Sequence, residues 1–102
     1  MYLIELFLPV YDNNKEPFEQ AAFDRVRNEL AEKFGGVTAF RRTPAEGLWK
    51  EDGGAVNRDE IVIFEVMAEG LDRAWWSHYR SGLEEEFRQQ ELIMRATKIE
   101  QL

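Results

Sequence analysis

Short apolar runs alternate along this chain with longer stretches in which apolar residues recur every three or four positions. Tyr2 to Val10 (YLIELFLPV) is a compact apolar run closed by Asp12-Asn13-Asn14, and it predicts a first strand. Phe18, Ala22, Val26 and Leu30 then recur at helical spacing, and Phe23 and Phe34 widen the same stripe. Pro17 suits the first helical position, and Gly35-Gly36 provides a left-handed stop. Val37 to Arg42 (VTAFRR) is strand-prone until Pro44 interrupts it, and Ile61 to Met67 (IVIFEVM) is the most strand-like run in the chain. Between them, Asp52-Gly53-Gly54 separates two extended arms. Residues 37–67 therefore read as one long, irregular hairpin with a bulge near Pro44 and a tight turn at Asp52-Gly53-Gly54. Asp72 is placed to cap a second helix with Trp75, Tyr79, Gly82, Leu83 and Phe87 on one face, which puts Trp75 in the core and Trp76 at its margin. Leu92 to Ile99 (LIMRATKI) closes the pattern as a fourth strand.

The order β-α-β-β-α-β in 102 residues is one domain's worth of chain, and no linker or low-complexity stretch divides residues 1–102. It predicts an α+β fold of the ferredoxin-like kind: a four-stranded antiparallel sheet with two helices on one face, strand order 4-1-3-2 and an extended hairpin between the second and third strands. Side chains alternate across a strand, so the two faces can be separated. Ile4, Leu6 and Leu8, then Val62, Phe64 and Val66, then Leu92, Met94 and Ala96 are all apolar and should meet the helices. The opposite parity reads Leu3, Glu5, Phe7, then Ile61, Ile63, Glu65, Met67, then Ile93, Arg95, Thr97, Ile99. A face left to water is normally more polar, and a contiguous exposed apolar patch usually marks a partner. With both helices committed elsewhere, the expectation is a homodimer through this open face.

In its element order, its length and that apolar open face, the chain resembles the dimeric α+β barrel superfamily, which includes antibiotic-biosynthesis-type monooxygenases and muconolactone isomerases. The resemblance covers the whole chain and is architectural. It implies a homodimer, and it implies a monooxygenase- or isomerase-like enzyme without a bound cofactor as one functional reading. A haem-degrading member would pair a helix histidine and a tryptophan with a strand-one asparagine. Here strand one carries Glu5 and no asparagine. One fold hosts many functions, so the reaction does not follow from the architecture.

Charge and composition narrow the classes. The net charge of −7 opposes nucleic-acid binding and an anionic membrane surface, since phosphate recognition needs clustered Lys and Arg and only Arg41-Arg42 are adjacent. With no cysteine, disulfides, thiolate nucleophiles and Cys-ligated zinc are excluded, and a cytoplasmic location is favoured. Glu5 and Pro9 interrupt the first apolar run and no basic region precedes it, so no signal peptide is expected. No apolar stretch reaches the ~20 residues that span a bilayer. One histidine and scattered acids make no metal-ligand spacing, and Gly53-Gly54 lies in a hairpin rather than a phosphate loop, so no metal or cofactor is expected.

The candidate chemistry is sparse. Glu5, Glu65 and Arg95 share the open face on neighbouring strands. Two close carboxylates raise one pKa and can then act as acid or base, while the structural alternative is an ion pair that sets dimer register. His78 is the only histidine, suited to proton transfer but without an evident partner. Glu86 falls within the apolar stripe beside Tyr79, Gly82 and Leu83, where a carboxylate either finds a partner or reaches water. Trp49, Trp76 and Tyr79 are the candidate ligand contacts, as amphipathic aromatics favour interfaces. Three functions follow: a small-molecule binder with a pocket between helices and sheet, an enzyme of the kind the resemblance implies, and a non-catalytic interaction module.

Overall fold

The computed structural model describes residues 1–42 and 60–102. The expected tight turn at Asp52-Gly53-Gly54, the expected bulge near Pro44, and Trp49 lie outside the described residues. The elements are β1 (Tyr2–Pro9), α1 (Gln20–Phe34), β2 (Thr38–Arg42), β3 (Ile61–Ala68), α2 (Arg73–Glu86) and β4 (Met94–Lys98). They form one antiparallel sheet in the order β2-β3-β1-β4, the ferredoxin-like arrangement, with the two most apolar strands in the centre. Among the described residues, no helix is long and apolar enough to cross a membrane.

The inner face carries the core. Ile4, Leu6, Leu8, Phe64 and Val66 are buried against Phe23, Val26 and Leu30 of α1 and Trp76 and Leu83 of α2. Phe87, just past α2, is fully enclosed and meets Phe18 edge-on at 4.9 Å. The strand alternation holds along β1 and at Phe64 and Val66 of β3; Val62 is only half-buried, and Ile63, expected on the open face, is buried.

Local chemistry moved several boundaries. α1 begins at Gln20, not at Pro17. Asp12 takes the backbone N–H groups of Asn14 and Glu16 on one carboxylate oxygen, at 2.8 and 2.9 Å. Lys15 turns left-handed with φ 63, and Pro17 bridges back to Tyr11. Residues 12–17 thus close a tight turn before any helix starts, and the proline serves the turn. The Asp12 carboxyl is held below the usual carboxylate range, chiefly by the Glu16 N–H bond. At the other end of α1, Gly35 takes φ 81 and donates its N–H to Ala31, as a left-handed stop requires.

Asp72 caps α2 by accepting the Trp75 N–H at 3.1 Å. Leu83 and Phe87 are buried as expected, but the buried face is displaced towards Trp76, which follows Trp75 at roughly 100° around the helix. Trp76 is 6% exposed and belongs to the core, whereas Trp75 is half-buried. Phe34 explains the exchange: its ring stacks on Trp76 at 5.1 Å, and Trp75 lies over Tyr79 at 4.8 Å on the outer side. β4 starts at Met94, two residues later than expected, because the Glu84 carboxylate accepts the Leu92 N–H at 2.9 Å and anchors the approach to the strand. Ala96 was expected to be covered but is exposed, on an edge strand beyond the helices' reach.

Candidate functional site

On the face away from the helices, the pairing registers place residues in rows across the strands. Thr38, Glu65, Glu5 and Arg95 form one row spanning all four strands. The sequence-derived trio is thus brought together. Arg95 Nε donates to Glu5 Oε1 at 2.8 Å, and its guanidinium lies 4.8 Å from the centre of the Phe7 ring. Burial first, then hydrogen bonding and like charge from Glu5, hold the Glu65 carboxyl above the usual carboxylate range.

The flanking rows are apolar except for Thr97, which pairs with Leu3. Phe40, Ile63 and Phe7 run side by side on one flank, with Ile93 beyond Phe7; Met67 and Leu3 are paired on the other. Ile93 is 61% exposed, Met67 46% and Phe40 42%. Ile63 is buried, yet it stands apart from the cluster packed under the helices.

His78, Tyr79 and Glu86 meet on the outer side of the helical layer, across a shallow groove between α1 and α2 with Arg25 and Glu29. Tyr79 donates its hydroxyl to Glu29 at 2.8 Å; burial and that hydrogen bond push the phenol upward from its ordinary value. Arg25 bridges Glu29, at 3.1 Å, and Glu86. Glu86 thus reaches the surface and is paired there, the outcome that its place in the stripe left open. His78 is exposed and lies beside this network without a hydrogen bond or ion pair to a described residue. The network ties two helices together; it does not open onto the sheet. Trp76, expected at a margin, is enclosed.

Between α1 and the β2–β3 edge lies a cleft of about 390 Å³ that, among the described residues, no sequence-derived candidate lines. Its walls are Val10, Phe18, Phe23, Val62 and Phe64, and Gln20, Asp24, Arg27 and Arg41 stand at its rim. It exists because β2 presents Ala39 and Arg41 towards the helical side: the first is too small to fill the space and the second turns to Glu60 at 3.1 Å. The signal in the sequence was a short strand whose inward positions are small or charged, unlike those of β1 and β3.

The chain matches no family model, no curated protein and no solved structure.

Proposed function

We propose that this chain works as a self-associating domain, two copies meeting through the outer face of the sheet. The observation that carries the proposal is the exposure of Phe40, Met67 and Ile93 on the face that neither helix covers. The charges on that face favour a second copy over an unrelated partner. The central row places its two acids in the middle strands and its base on an edge strand. A two-fold axis parallel to the strands and passing over β1 lays the partner's Arg95 over Glu65, while each Glu5 keeps its own Arg95, and it leaves apolar rows on apolar rows. Such self-complementarity is what a two-fold contact requires, and the ion pairs would set register more than affinity.

Sedimentation equilibrium at micromolar concentration tests the proposal. The expected result is a dimer that Met67→Glu with Ile93→Glu converts to a folded monomer; both positions are exposed, so the variant keeps the core intact. A wild-type monomer, or a variant that stays dimeric, overturns it.

A second reading, a small-molecule binder, is favoured by the cleft between α1 and the β2–β3 edge. A volume near 390 Å³ with apolar walls and a polar rim is within the range of ligand pockets. Native mass spectrometry should then find a co-purified small molecule that a cleft-filling substitution at the edge strand, Ala39→Phe, removes. The wild-type protein emerging free of ligand would count against this reading.

A further inference from the structure

A second cleft, of about 220 Å³, opens on the opposite edge of the molecule between α2 and β4. Its floor is apolar and includes Ile4, Trp76 and Met94. Its wall on α2 carries Arg73, Ser77 and Arg80, spaced by four and three residues and therefore on one face of the helix. Among the described residues no acid lines it, although the chain as a whole carries −7. Arg95 also borders it, but that guanidinium is engaged with Glu5.

Two features separate these arginines from ordinary surface charges. Among the described residues, Arg73 has no ion pair or hydrogen bond. Arg80 has a buried Nε that donates to nothing; the nearest carboxylate oxygen, on Glu84, is 3.8 Å away and already accepts the Leu92 N–H. A buried guanidinium N–H without an acceptor is unfavourable, and an anion entering the cleft would supply one. The Asp72 carboxylate, just before the helix, is turned to the Trp75 N–H.

We infer that the α2–β4 cleft is a binding site for a small organic anion, with a compact phosphate or carboxylate head held by Arg73 and Arg80 and an apolar body resting on the floor beside Trp76. Guanidinium groups suit such heads because they offer paired donors in a fixed plane. Cleft size limits the body to about one ring, in keeping with the scale of small-molecule sites.

Calorimetric titration with phenyl phosphate at low salt tests this site. Binding in about the millimolar range is expected, weakening as salt is added. Arg73→Gln and Arg80→Gln should each weaken it by about tenfold, the scale of a lost charge-assisted contact. Arg27→Gln, at the other cleft, should leave it unchanged. Inorganic phosphate alone should bind more weakly than phenyl phosphate. Both arginine variants alter a helix surface, and an unchanged unfolding midpoint checks that they fold. No binding of phenyl phosphate, or equal binding by the Arg73→Gln/Arg80→Gln double variant, overturns the site. Equal affinity for phosphate and phenyl phosphate overturns the role of the apolar floor.

Discussion

The two faces of the sheet share every strand and differ in what meets them. On the inner face Ile4, Leu6, Leu8, Phe64 and Val66 are all within 3% of full burial, and the set contains no charge. On the outer face the same strands alternate apolar rows with a row of two acids and one base, and Ile93 stands 61% exposed. The inner face is finished within one chain. The outer face leaves apolar side chains exposed on either side of a charged row. Under the proposed pairing, the same kind of substitution should act on stability on one side and on assembly on the other.

The sharpest test is at the centre of the inner face. Leu6→Ala removes a side chain that is 1% exposed and should cost about 2–5 kcal/mol. Urea unfolding should show a lower midpoint at unchanged slope. The contrast between faces also requires the helices to stay in place. Asp72→Ala deletes the carboxylate that accepts the Trp75 N–H and should cost about 1 kcal/mol by the same measurement. Ile93→Ala, on the outer face, should change the stability of the dissociated chain by no more than about 0.5 kcal/mol. If two copies pair through this face, the variant should nevertheless lower the unfolding midpoint measured at high protein concentration. A large loss at every concentration would erase the distinction between the faces.

The smallest effect concerns Glu65. Its carboxyl is raised in the folded chain, so the folded state binds more protons than the unfolded state between the ordinary and the raised pKa. Stability from this group therefore falls as pH rises through that window. Glu65→Gln should flatten that part of the pH profile and slightly stabilise the protein at neutral pH. An unchanged profile in the variant would mean that the Glu65 carboxyl is not raised in the folded chain.

Element order, strand register and helix stop were legible in the sequence because each rests on local chemistry. Alternation separates the faces of β1 and β3, Gly35 can adopt φ 81, and Asp72 reaches the N–H three residues on. Even the meeting of Glu5, Glu65 and Arg95 could be read, since parity and strand order suffice to align them. The start of α1 was misread because Pro17 suits a turn as well as a helix, and Asp12, five residues earlier, decides between them. The rotation of α2 was decided by Phe34, on the other helix, which stacks on Trp76 and leaves Trp75 half-buried. Both clefts belong to the same class. Each lies where an edge strand passes beyond a helix, and the space between them depends on how the layers are set against one another. Pattern along a chain specifies which side of an element is apolar; only packing between elements decides how completely that side is filled.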